Sequence, residues 1–187
     1  MGMAAPVYYT VEMARALPDD GNRYEVVHGE LLVTPAPRWS HQDVVKHLLV
    51  ALELYLRRHP VATVQASPAD LSWAPDILVQ PDVFVVPRGA TPIRDWKDIR
   101  SLLLVAEVLS PGTARYDRFT KRRLYQEFDV PTYWIVDADL RQVEIWTPRA
   151  TFPVIERARL TWAPDGAGAP FELPLGELFR DPAEPAG

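Results

Sequence analysis

The sequence predicts an α/β fold, a mixed β-sheet flanked by helices and extended by hairpins towards both ends. Three observations carry this expectation. The run SLLLVAEVL at 101–109 is almost continuously apolar, as a strand buried on both faces should be. A helix-length segment at 113–128 follows it and leads into a second strand-like stretch at 133–136, and this strand–helix–strand order implies a parallel, right-handed crossover. Residues 41–58 place Val44, Val45, Leu48, Leu49, Leu52, Tyr55 and Leu56 at helical spacing, one apolar face of a long helix.

In chain order, residues 10–17 read as a short helix that Thr10 can cap and that Pro18-Asp19-Asp20-Gly21 ends. YEVV-HG-ELLV at 24–33 reads as a hairpin turning at His28-Gly29, and Pro35 and Pro37 stop its second strand. Ser40 is the expected N-cap of the long helix, which His59-Pro60 ends. Strands are expected at 62–66, 77–80 and 83–86. Pro111-Gly112 breaks the apolar strand, Thr113 opens the next helix, and Val130-Pro131 closes it. Asp137-Ala138-Asp139 turns into an edge strand at 143–146, with further strands near 152–156 and 159–162. Residues 1–180 are expected to form one domain, and the Pro/Ala/Glu/Gly-rich residues 181–187 a frayed tail.

Bulk composition narrows the function classes. The chain has 187 residues, 48% of them apolar and 24% charged, an ordinary globular balance. No apolar run is long enough for a membrane span, and the start of the sequence has no basic-then-apolar leader pattern. The absence of cysteine excludes disulfides, thiolate zinc sites and cysteine nucleophiles, and fits a reducing cytoplasm. The net charge of −5 gives no overall basic signal for nucleic acid, although an acidic metal site would itself contribute to it. Nothing matches HxH, HExxH, GxxxxGK[ST] or GxGxxG, so zinc-hydrolase and nucleotide-loop readings lack support.

Glu107 stands out, because a carboxylate within LLLVAEVL costs several kcal/mol unless paired, protonated or bound to a metal. Its ordinary alternatives are a strand-end acid reaching solvent or a salt bridge to a helix arginine. Asp82, after Pro81 and ahead of the strand VFVV, is by itself a common turn former. On the strand beside Glu107 it becomes half of a hard-metal site, to which Val108 can add a backbone carbonyl. On the following helix Asp117, Lys121, Tyr125 and Phe128 share one face. Lys121 is one of only three lysines against seventeen arginines, and lysine acts as a compact cation in a way arginine does not. An exposed Asp117–Lys121 pair is the bland alternative. Arg115, Arg118, Lys121, Arg122 and Arg123 form a locally basic strip that can meet phosphates, or simply face solvent.

Three stretches also carry a resemblance: PDVFVV at 81–86, VAEVLSPGT at 105–113 and VPTYWIVD at 130–137, with Asp117, Lys121 and Tyr125 between the last two. Together with YEVVHGEL at 24–31, His41 and LGELF at 175–179, the pattern resembles the Uma2 family over almost the whole chain. The resemblance implies a restriction-endonuclease-like core of the PD-(D/E)XK type, with Asp82 as the motif aspartate and Glu107 as the motif glutamate. The motif lysine would fall at position 109, which is leucine here, and the resemblance implies that its role passes to Lys121. Glu30 is a further candidate acid, against the ordinary reading of a solvated hairpin glutamate. His41 is a candidate supporting residue, against that of a structural histidine at a helix start.

The reaction implied is Mg²⁺-dependent hydrolysis of DNA phosphodiester bonds, with Mn²⁺ as a substitute. Asp82, Glu107 and the Val108 carbonyl would hold the metal, and Lys121 would orient water or offset developing charge. By analogy with other nuclease-fold proteins a homodimer is expected. Two alternatives stay open: a catalytically silent module that binds a protein or nucleic-acid partner, and a structural dimer whose acids are held by arginines.

Overall fold

The computed structural model describes residues 7–89 and 93–180. The expected tail at 181–187, and residues 1–6 at the start, lie outside the described residues. No helix among the described residues is long and apolar enough to cross a membrane.

The centre is a six-stranded mixed sheet ordered β10-β9-β8-β7-β6-β3, with β3 at Ala62–Ala66, β6 at Val83–Pro87, β7 at Leu104–Val108, β8 at Tyr133–Asp137, β9 at Gln142–Trp146 and β10 at Val154–Glu156. All five residues of β7 are buried, as its apolar run predicts. β7 and β8 pair in parallel with Val105 opposite Tyr133, and every other pairing in this sheet is antiparallel. The expected parallel crossover is therefore present.

Alternation of side chains gives the sheet two packed faces. On one face Val83, Val85, Leu104, Ala106, Trp134 and Val136 meet Leu48, Leu52 and Leu56 of α2, which spans Trp39–Arg58. The same cluster takes in Leu160 and Phe171 from the hairpin of β11 (Arg159–Trp162) and β12 (Phe171–Pro174), and Leu175 and Leu178 of the terminal turn α4 (Leu175–Leu178). On the other face Phe84, Val105, Tyr133 and Ile135 meet Leu124 and Tyr125 of α3 (Arg122–Glu127) and Val27, Leu32 and Val79 of a second sheet. That four-stranded antiparallel sheet has the order β2-β1-β5-β4, from β1 (Arg23–Val27), β2 (Glu30–Thr34), β4 (Leu71–Ala74) and β5 (Ile77–Val79). The short helix α1, Val11–Arg15, is capped by Thr10, whose side chain accepts from the Met13 amide, as expected.

Several local expectations change. Helix α2 starts at Trp39 with Arg38 as its N-cap and has no side-chain cap, so Ser40 lies inside the first turn rather than before it. The helix after β7 is not uniformly α-helical: Tyr116–Lys121 is π-helical, closed by an i+5 bond from the Arg122 amide to the Asp117 carbonyl. β4, β12 and α4 escape the sequence pattern because each is only four residues long, too short for a clear period.

The β1–β2 turn uses positive φ at both central residues, 50° at His28 and 78° at Gly29, as a tight hairpin turn requires. A Cβ at Gly29 would lie 2.3 Å from ring atoms of Tyr8. Gly29→Ala is therefore expected to destabilise the fold by about 1–2 kcal/mol, read as a melting-temperature drop of roughly 2–4 °C per kcal/mol. An unchanged melting temperature would contradict the turn assignment.

Candidate active site

The site lies where the start of β6 meets the end of β7. Val83 is opposite Ala106 in the antiparallel ladder, so Asp82, just ahead of β6, comes level with Glu107. A cleft of about 130 Å³ opens there, lined by Asp82, Glu107, Val108, Asp117, Lys121, Arg23, His41 and the 110–113 turn. The structure thus brings together six of the seven predicted residues.

Asp82 is 5% exposed and held at both oxygens. Its Oδ1 accepts from Arg23 Nη1 at 3.1 Å, and its Oδ2 lies 3.1 Å from His41 Nε2 and accepts from the Val108 amide at 2.9 Å. Burial pushes this carboxyl up, but the hydrogen bond from His41 and the charges of Arg23 and Lys121 outweigh it and bring it to about 2. Alternate residues of β7 face opposite neighbours: the Val105 and Leu109 amides reach the β8 side, and the Val108 amide reaches Asp82. In a strand the amide and carbonyl of one residue share an edge, so the Val108 carbonyl is directed towards the Asp82 side as well.

Glu107 is 2% exposed. Its Oε1 accepts from Lys121 Nζ at 3.0 Å and from the Tyr125 hydroxyl at 3.1 Å. Lys121 is not on a solvated strip but at the centre of three carboxylates, with Glu25 at 2.9 Å, Glu107 at 3.0 Å and Asp117 at 3.6 Å. Burial alone would pull its ammonium down; the charges of Glu107, Glu25 and Asp117 win and hold it well above an ordinary lysine. The π turn serves this placement, since the Asp117 carbonyl that accepts the i+5 bond also accepts from the Tyr133 hydroxyl at 3.0 Å.

Sequence reasoning missed Arg23 and Glu25. Both lie on β1 in alternation with Val27, whose side chain packs into the core beneath the central sheet. Glu25 is 1% exposed and accepts from the Gln80 amide through Oε1 at 2.7 Å while its Oε2 meets Lys121. The signal was available: period two along RYEVV puts Arg23 and Glu25 on the side of Val27, and inward charges in a hairpin need partners. Glu30, the predicted hairpin acid, is exposed beside the turn opposite Val27 and does not line the cleft. The basic strip also dissolves. Arg118 is spent on Asp137 and Glu144, Arg122 lies over the Trp146 ring, and Lys121 is buried, leaving Arg115 and Arg123 exposed. Phe128, exposed at the end of the aromatic face, packs with Tyr125 on the same ring, 4.8 Å from Trp73.

Four buried carboxylates, Glu25, Asp82, Glu107 and Asp117, therefore face two strong cations, Arg23 and Lys121. The imbalance is visible in the acids. Burial raises Glu107 well above an ordinary glutamate, Lys121 opposes this, and Asp82, Asp117 and Glu25 add to it. Asp117 is raised by burial, partly offset by Lys121 and a bond from Thr113, to about 6. Oxygen donors carrying excess negative charge fit a hard divalent cation. Among the described residues no three His, Cys, Asp or Glu side chains form a ready-made metal cage. Two carboxylates and a backbone carbonyl leave room for water and a phosphate oxygen, which is how Mg²⁺ is ordinarily held.

Asp117 gives a pH test. Its folded value lies above the ordinary 3.8, so the folded state holds the proton more tightly, and the stability it contributes is full below about 3.8 and lost as pH rises through about 6. Metal-free Asp117→Asn is therefore expected to exceed the unaltered protein in stability at pH 7 by on the order of 1–3 kcal/mol, with the gap closing below pH 4. Denaturant melts across that range check it, and a gap that widens on acidification would contradict it.

Comparison with known proteins places the chain in a family and matches its fold. Residues 11–178 match the model of the Uma2 family, described as "Putative restriction endonuclease". Among solved structures the chain resembles one titled a putative nuclease belonging to DUF820, from Anabaena variabilis ATCC 29413. The TM-score is 0.74 at 18% identity, over 91% of this chain and 97% of that one, a likeness of fold. None of the curated proteins matches. With the family model spanning the strands, the crossover helix and the acidic cleft, the chain belongs to the Uma2 family.

Proposed function

We propose that the protein is a Mg²⁺-dependent endonuclease that hydrolyses DNA phosphodiester bonds at the Asp82–Glu107 cleft. The observation that carries this reading is the buried surplus of carboxylates over cations, three of whose four acids, Asp82, Glu107 and Asp117, line an opening. Uncompensated buried negative charge is costly, and a divalent cation removes the cost. The family's description and the fold of the Anabaena relative support the same reaction class. Mn²⁺ has the same preference for oxygen donors and is expected to substitute.

Asp82, Glu107 and the Val108 carbonyl would hold the metal, which supplies charge neutralisation at the phosphate and activation of water. The protein's own part is preorganisation. Arg23, His41 and the Val108 amide fix the rotamer of Asp82, and Lys121 and Tyr125 fix that of Glu107. Tyr125 is raised well above an ordinary tyrosine by burial and by Glu107, so its hydroxyl remains a donor. Lys121 remains an ammonium and is therefore no proton acceptor. Its role is to offset the charge that builds on the phosphate oxygens as water adds and the ester P–O bond breaks. A homodimer would supply two such sites for the two strands of a duplex.

A silent nuclease-fold module is the second reading. One observation favours it: both oxygens of Asp82 already accept hydrogen bonds. Calorimetric titration with Mn²⁺ separates the two, because a silent module gives the same heat in the unaltered protein and in Asp82→Ala. For activity, Asp82→Asn and Glu107→Gln are expected to abolish metal-dependent cleavage of plasmid DNA, and Lys121→Ala to lower its rate by ~10²–10³-fold. Unreduced cleavage by a folded, purified Asp82→Asn protein would overturn the mechanism.

A further inference from the structure

The start of α2 opens into the same cleft. Thr34, Arg38 and His41 line it together with the acids. α2 is 20 residues long, its N-cap Arg38 makes no side-chain cap, and its first turn holds no acidic residue. The first amides of any helix lack intrahelical partners, and here no side chain among the described residues takes them. A long helix also presents partial positive charge at this end. Arg38 adds a full one: it is exposed and forms no ion pair among the described residues.

A second, independent feature points to a ligand. His41 is 9% exposed, its Nε2 is occupied by Asp82, and its Nδ1 is buried with no hydrogen-bond partner among the described residues. A buried ring nitrogen without a partner is costly. The His41 ring lines the cleft, and in its protonated form both nitrogens carry N–H, one given to Asp82 and the one at Nδ1 left for an anion.

We infer that the uncapped first turn of α2, with Arg38 and His41, is a phosphate subsite that seats a backbone phosphate of the nucleic-acid substrate against the Asp82–Glu107 cluster. The inference rests on the nuclease reading for its substrate class. Anions bind helix N-termini through exactly such free amides. Asp82 and Glu107 repel an anion from across the cleft, so occupancy should be tighter with Mg²⁺ present, and should persist without metal in Glu107→Gln.

The test uses amide NMR of the full chain titrated with inorganic phosphate and with thymidylyl-(3′→5′)-thymidine, in Mg²⁺ buffer and, for Glu107→Gln, without metal. The amides of Trp39, Ser40 and His41 and the His41 ring nitrogens are expected to shift with both probes. Arg38→Ala should weaken binding about 3- to 10-fold, the loss of one exposed charge contact. Arg38→Asp should weaken it at least about 10-fold while raising the melting temperature, because aspartate caps the turn and repels the ligand. A merely structural role for Arg38 cannot give opposite signs in stability and binding. Unmoved first-turn amides, Arg38→Asp binding as tightly as the unaltered protein, or binding of inorganic phosphate without the dinucleotide would overturn the inference. Mn²⁺ calorimetry on the same samples separates it from the nuclease reading. Metal heat with silent amides overturns the subsite alone; shifting amides in Glu107→Gln with no metal heat in the unaltered protein overturns the nuclease reading and leaves the subsite standing.

Discussion

The site depends on one buried ammonium. Lys121 Nζ touches Glu25, Glu107 and Asp117, three side chains from a hairpin, a central strand and the crossover helix. Removing a charge from water costs several kcal/mol, and only close, multiple partners repay it. The lysine thereby fixes the four-stranded sheet, β7 and the π turn in mutual register. The π turn is the local backbone adjustment that brings Asp117 and Lys121 inward together, and Tyr133 from β8 holds it there through the Asp117 carbonyl.

Around that ion the acids divide into two groups. All are buried; Asp82 has His41, Arg23 and Lys121 to outweigh its burial and is held low, whereas at Glu107 and Asp117 burial and neighbouring acids outweigh Lys121 and hold them high. A carboxylate poised low and another poised high at one opening supports the proposed metal-centred reading. The topology explains why they meet: β6 begins and β7 ends at the same end of the strands in the central sheet, and the parallel step from β7 to β8 returns the chain through the helical segment that carries Lys121.

Much of this was legible in the sequence. The apolar run around Glu107 announced a strand buried on both faces, so its carboxylate needed a partner. The scarcity of lysine singled out Lys121, although as a member of a solvated strip as readily as a buried hub. Motif resemblance linked Asp82, Glu107 and Lys121 across 40 positions of chain that no local rule connects. Arg23 and Glu25 were passed over because a short strand with charges at alternate positions also reads as a solvated hairpin face, although their period-two match to Val27 pointed inward. Glu30 was the hairpin acid singled out, and the packing of β1 over the central sheet brings in Glu25 instead. The π turn had no sequence signal, and the missing cap of α2 was obscured by Ser40, a good cap residue two positions too late to serve.

The most direct test of the metal-centred reading is a crystal structure of the protein grown with Mn²⁺, with data collected for the anomalous signal of manganese. One ion contacting Asp82, Glu107 and the Val108 carbonyl, with Lys121 Nζ still on Glu107, is the expected result. An empty cleft at saturating Mn²⁺, or an ion bound only elsewhere on the chain, would contradict it.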